Sequence, residues 1–234
     1  MELDSNNYVL VLGSKPFSKL PFINVKKVYC ANGAAERCIQ YKSIFKDVET
    51  TSVVSASEFN KRPDVRNRVI KLKPDNIFCR FGTINNKFLK YSSKTKIRNL
   101  GKFEQLVWQS KFFKYGIITL FFSEFNYENF FLKKIKHLID CFLWRGFLGS
   151  STGLFSILLA HIENPYSKIL VSGIGIKTGG KTFYGSNENK TLRSNVDKIL
   201  FLYLNKKIKE KIITTDFEMS EFCRVALWDK DLIN

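Results

Sequence analysis

The first apolar run of the chain, Tyr8 to Leu12 in YVLVLG, is continuous rather than alternating. A strand with one wet face carries polar residues at every second position, so this run fits a strand buried on both faces, as in a parallel sheet. It stops at Gly13, and Pro16 follows within the loop GSKP. VKKVYCANG reads as a second strand ending in Asn32-Gly33, and AAERCIQYKSIF then takes a helical period. TSVVSAS and NRVIKLK read as two further strands. From 75 to 101 the pattern is polar and irregular, with turn signals in FGTINN and YSSKTK.

FEQLVWQSKFFKYG returns to helical spacing, GIITLFF reads as a strand, and ENFFLKKIKHLIDCFLWRG as a helix with Gly146 as its stop signal. The next unit is the most ordered in pattern. GSSTG (149–153) opens directly into an apolar helix over 152–163, ENPYS turns the chain, and a strand follows over 168–174. After a basic loop over 177–191, LRSNVDKILFLYLNKKIK is amphipathic, with Leu192, Val196, Ile199, Leu200 and Tyr203 on one face. KIITTD is a final strand, and Thr215 and Glu218 have capping-box spacing before a short last helix.

Strands alternating with helices through short glycine-bearing loops predict an α/β fold, a three-layer Rossmann-like sandwich with a mostly parallel sheet. The 234 residues suffice for one such domain over 1–234 but not for two, and residues 75–146 read as a less regular insertion or lid-bearing region.

Charge narrows the choice of partner. Thirty-eight Lys and Arg against 21 Asp and Glu leave a net charge of +17, which fits nucleic acid, an anionic membrane face or a phosphorylated substrate. The lysines are spread along the chain and nothing matches a zinc-finger or RNP pattern, so nucleic-acid binding rests on charge alone. The five cysteines are scattered without CxxC spacing, which points to a reducing compartment and predicts no structural metal. The N-terminal stretch has no basic region before its first strand, so no signal peptide is expected. No apolar run approaches the roughly 20 residues of a membrane span. A soluble, cytoplasmic protein is expected.

Three loops following strands are candidates for chemistry. In GSKP, Gly13 lets the backbone approach a ligand and Ser14 can donate to a phosphate, although a plain βα turn explains the loop as well. Asn32 and Gly33 sit where a strand hands over to the positive end of a helix, so the amide can meet a phosphate, a ribose hydroxyl or a base edge, or merely turn the chain. In GSSTG, one serine suffices for an N-cap, yet Ser150, Ser151 and Thr152 supply three hydroxyls beside the amides of a helix start. That surplus favours an anion site. The later loop GIKTGGKTFYGSNENK adds Lys177, Lys181 and Tyr184, either as a lid over a phosphate or as a solvated basic loop.

With these loops in this order, the chain resembles the sialyltransferase-like glycosyltransferases, above all the bacterial family that uses CMP-sialic acid. LGSKP stands in for the family's loop after strand one, VYCANGA for the strand whose asparagine contacts CMP, and SSTGLFSILLAHIENPYSKILVSGIG for its Ser-Gly helix and Ser-Gly-Ile-Asp strand end. The similarity spans 8–45 and 148–228. It implies a GT-A-like sialyltransferase variant of the fold. It also implies a donor site at Gly13, Ser14, Asn32, Gly33, Ser151, Thr152 and Gly153, with Thr152 and Gly153 holding the donor's carboxylate. The implied activity is metal-independent transfer of a sugar, without a cofactor, from a nucleotide donor to a cell-surface glycan precursor. The acceptor would be a glycan or lipid-linked, met through peripheral contact with the inner face of an anionic membrane.

Two departures stand out. Gly175 occupies the place of the family's acidic residue, and the family's histidine base is missing, since LRSNVDK offers Arg193, Asn195 and Asp197 instead. A base must be able to take a proton, which Asn195 cannot do and the guanidinium of Arg193 does poorly. Asp197 or Glu188 replaces the histidine, or the chemistry is slow or lost. His137 and His161 lie in apolar helical stretches and read as packed or surface helix residues. The alternatives to a working transferase are an impaired nucleotide- or glycan-binding relative and a basic nucleic-acid binder on a Rossmann-like sheet.

Overall fold

Strand β1 (Tyr8–Leu12) sends Val9 and Val11 into one apolar cluster and Leu10 and Leu12 into another, which is why its sequence shows no polar alternation. The structure is a computed structural model and describes residues 7–15, 18–88, 94–127, 130–143, 148–176 and 193–233. After β1 come β2 (Leu20–Pro21), β3 (Lys27–Ala31), α1 (Ala35–Ile44), β4 (Glu49–Ser55), α2 (Ala56–Lys61), α3 (Pro63–Leu72), β5 (Asn76–Arg80) and β6 (Lys96–Leu100). Four helices, α4 (Lys102–Ser110), α5 (Ile117–Phe125), α6 (Phe131–Phe142) and α7 (Thr152–Glu163), lead back to β7 (Lys168–Ser172). The rest is α8 (Ser194–Leu202), α9 (Lys206–Lys209), β8 (Ile212–Thr214), α10 (Phe217–Cys223), β9 (Ala226–Leu227) and β10 (Leu232–Ile233).

Eight strands form one sheet in the order β6-β5-β4-β3-β1-β7-β8-β9, and every neighbouring pair is parallel. β2 and β10 pair separately as a short antiparallel ribbon. Helices α1, α2 and α3 cover one face through Cys38, Tyr41, Phe59 and Val69. Helices α4 to α10 cover the other, with Phe155, Leu158, Leu200 and Phe201 at its centre. The three-layer α/β architecture is therefore the expected one.

Several elements differ from the sequence reading. NRVIKLK lies in α3, not in a strand: Pro63 occupies the first turn and Val65, Val69 and Leu72 are buried at helical spacing. GIITLFF forms α5, where packing on α6 and α8 overrides the β-preference of two isoleucines. The described residues between 75 and 100 are more regular than the sequence suggests. They supply β5, whose apolar run is interrupted by the buried Arg80, and β6, an edge strand with four of its five residues exposed. Strand β7 ends at Ser172 rather than 174, and the long amphipathic stretch breaks between α8 and α9. The cap of α10 is Asp216, not Thr215, and it accepts from Glu218 N and Met219 N. Gly146 and Leu192 lie outside the described residues.

Candidate functional site

Where an open parallel sheet reverses its strand order, the loops on either side of the reversal part and leave a crevice at the carboxyl ends. From β1 the chain adds strands outward to β6, then crosses back and places β7 on the other side of β1, in register from Tyr8 opposite Lys168 to Leu12 opposite Ser172. A cleft of about 120 Å³ opens at the ends of this pair.

Most of the sequence candidates meet there. Gly13 and Ser14 come from the loop after β1, Asn32 from the end of β3, and Ser151, Thr152 and Gly153 from the start of α7. Gly175 follows β7, and Arg193 and Asp197 come from the start of α8. Gly33 is buried in the 3-10 turn 32–34 and does not line the cleft. Lys177, Lys181, Tyr184 and Glu188 lie outside the described residues.

Gly13 has a packing reason to be glycine. A Cβ there would lie 2.2 Å from the Gly173 carbonyl oxygen, so the close approach it permits is to the neighbouring loop. The two loops are stitched by Gly13 N donating to Ser172 O at 2.8 Å and Lys15 N donating to Gly173 O at 2.9 Å. The Lys15 ammonium reaches Asp216 at 2.7 Å. Burial lowers its pKa, but Asp216 and Glu218 outweigh that and raise it overall.

The loop 149–151 is fixed by buried polar side chains from four other elements. Gly149 N donates to Glu124 Oε1 at 2.9 Å, and the Arg193 guanidinium donates to both Glu124 and Gly149 O. Ser150 N and Oγ both donate to Gln109 Oε1, at 3.1 and 3.0 Å, while Ser150 O accepts from Arg80 Nη2 at 2.8 Å. Ser151 N donates to Asp197 Oδ1 at 2.9 Å, and Ser151 Oγ caps α7 by accepting from Leu154 N at 3.3 Å. Of the three hydroxyls, then, Ser150 is structural and Ser151 is the cap. Thr152 and Gly153 line the cleft at the start of α7, where by helix geometry their amides have no intrahelical acceptor, while Leu154 N is taken by the cap. Such a helix start favours an anion.

Two further features shape the electrostatics. Asp197 is 2% exposed. Burial raises its pKa, opposed by the Ser151 hydrogen bonds and by the nearby charges of Arg193 and Arg80. Arg80 is fully buried, its guanidinium 4.3 Å from the Phe155 ring and its Nε donating to Gln105 Oε1 at 3.2 Å. Burial, then Arg193, push its pKa well down. Asn32, at the same cleft, adopts a left-handed φ of 45°. Its Oδ1 is buried with no hydrogen-bond partner among the described residues. An unsatisfied buried acceptor costs about 1–3 kcal/mol, so its placement at the cleft is an opening for a ligand donor.

Neither histidine lines the cleft. His161 is packed at the α7 end, its pKa lowered by burial and then by Lys211. His137 Nε2 lies 2.9 Å from Glu124 Oε2 and 3.6 Å from Cys141 Sγ, and the ligand-type atoms of these three residues fall within 4.8 Å of one another. Glu124 is also engaged by Arg193 and Gly149, and burial pushes the Cys141 thiol up to about 12.

The sequence reading missed Arg80, Gln105, Gln109 and Glu124. Their only signal is a polar residue inside an apolar stretch, in NIFCR, FEQLVWQS and LFFSEF. Among the described residues, no helix is long and apolar enough to cross a membrane. Comparison of the chain with protein-family models, with curated proteins and with solved structures finds no match.

Proposed function

We propose that the cleft binds a nucleotide and that the protein is a sialyltransferase-like glycosyltransferase. It moves a sugar from a CMP-linked donor, CMP-sialic acid or another CMP-keto-acid sugar, to a cell-surface glycan precursor. The observation that carries the reading is the pairing of two unlike features in one crevice. Thr152 and the α7 amides favour an anion, while the unpartnered Asn32 Oδ1 accepts from a ribose hydroxyl or a base amino group.

In this reading Asp197 takes the proton of the acceptor hydroxyl. The acceptor oxygen bonds to the anomeric carbon, the bond from that carbon to the phosphate oxygen breaks, and CMP leaves. Arg193 lies at the same cleft, where a fixed cation stabilises the departing phosphate. A carboxyl whose pKa is raised by burial is better suited to proton transfer near neutrality than an exposed one. The protein acts in the cytoplasm at the inner membrane face, on a lipid-linked or glycan acceptor.

A second reading keeps nucleotide binding and drops turnover. The engagement of Asp197 Oδ1 by Ser151 N favours it, because that bond stabilises the carboxylate and weakens it as a base.

Calorimetric titration with CMP, against UMP, GMP and AMP, tests the binding step. Selective CMP binding, weakened by about 1–3 kcal/mol in Thr152→Val, is the expected result. Indifference to all four nucleotides removes the reading. CMP release from CMP-sialic acid then separates a transferase from a binding relative.

A further inference from the structure

We propose that the outer faces of α5 and α6 form a docking surface for an anionic lipid bilayer. The inference stands on the surface alone and does not depend on the glycosyltransferase reading.

Cys141 is the one buried residue of α6. At roughly 100° per residue, Phe131, Leu132, Ile135, Ile139 and Phe142 fall within one arc of about 100°. That stripe faces away from the protein: Leu132 is 79% exposed, Phe131 and Phe142 66%, and Ile139 52%. The opposite side, with His137 and Cys141, turns inward to Glu124. A globular helix normally buries its apolar stripe, so this one is inverted. Helix α5 continues the surface with Ile117, Ile118 and Phe122, all exposed. Phe121 joins the two helices by stacking on Phe142, with ring centroids 4.6 Å apart.

Cations rim the apolar ridge. On α6, Lys134 flanks one edge of the stripe, its ammonium 4.9 Å from the Phe125 ring, and before α5 the Lys114 ammonium lies 5.2 Å from the Tyr115 ring. Exposed Lys136 flanks the other edge of the stripe. An apolar stripe bordered by lysines lies in the plane of a bilayer, its rings at the acyl boundary and its ammonium groups among anionic headgroups. A second copy of the chain fits less well. A two-fold contact through this patch sets lysines against lysines, on a molecule already carrying a net charge of +17.

The test is cosedimentation of the full chain with vesicles of phosphatidylcholine alone or mixed with phosphatidylglycerol. Binding to the mixed vesicles is expected, with little to phosphatidylcholine and a steep loss on adding salt. The double variant Leu132→Glu, Ile139→Glu should weaken that binding by about tenfold or more. Tyr166→Glu, at a 96% exposed aromatic elsewhere, should leave it unchanged. Circular dichroism confirms that each variant is folded. No binding to mixed vesicles, or binding untouched by the double variant, overturns the proposal. So does a dimer in sedimentation that the double variant dissolves while vesicles remain unbound.

Discussion

A methyl group added at position 13 would lie 2.2 Å from the Gly173 carbonyl oxygen, and one added at 149 would lie 1.9 Å from Gln109 Nε2. Position 149 also has a φ of +106°, which a side chain rarely adopts. We expect Gly13→Ala and Gly149→Ala each to lower stability by about 1–3 kcal/mol in urea unfolding, the first because it overpacks a backbone crossing and the second because it meets the Gln109 side-chain amide. Loss at 13 with no loss at 149 would mean that Gln109 swings aside. At this scale the sequence revealed the residues whose chemistry is placed by a turn: Asn32 at a strand end and Ser151 at a helix start. It did not reveal Glu124 or Gln109. A buried glutamate and an exposed one look alike in a helical pattern, and only the partners Gly149, Arg193 and Ser150 distinguish them.

Helix α5 has two unlike sides. Its inner side carries Glu124, which ties together the loop before α7, the start of α8 and His137 on α6. Its outer side is the apolar ridge. Glu124→Gln leaves Arg193 beside a neutral amide that cannot satisfy every donor, and breaking such a buried pair costs about 3–5 kcal/mol. Thermal unfolding should show that loss, with CMP affinity falling in the folded fraction. A fully stable variant would show that the remaining partners Gln109, Arg80, Asp197 and Arg193 suffice to hold the loop. Element types were legible where run length and flanking turns agreed, as in the short unbroken apolar run of β1 and the longer one of α7. They were misread where composition and period disagreed. Isoleucine and valine suggested strands in what are α3 and α5, whereas β6 hid its strand character because an edge carries polar residues on both sides.

Across the whole molecule, the two apolar clusters leave all five thiols buried. Burial pushes Cys79, Cys141 and Cys223 from 9.0 up to about 12. A raised folded-state value means that this contribution to stability is fully present below about pH 9 and is lost as pH rises toward 12. In a variant with Cys30 and Cys38 replaced by alanine, the ultraviolet thiolate absorbance of Cys79, Cys141 and Cys223 should therefore stay silent just above pH 9 until the fold opens, and then appear together with unfolding. Thiolate absorbance in that folded variant near pH 9 would contradict the packing described for these residues. The three-layer plan was readable from the alternation of elements. The strand order was not, because nothing local in β7 says that it crosses back to lie beside β1.

That crossing makes the cleft a seam. One wall comes from residues 13–14 and 31–32, the other from 151–153, 173–175, 193–194 and 197, so each belongs to a different half of the chain. A ligand lodged there acts as a strap across the seam. Its binding energy enters the cooperative opening of the whole sheet rather than a local fluctuation, raising the melting temperature with concentration by mass action. Two fragments divided near Gly101 would each carry half of the site, and a ligand that fits the cleft would help them find one another.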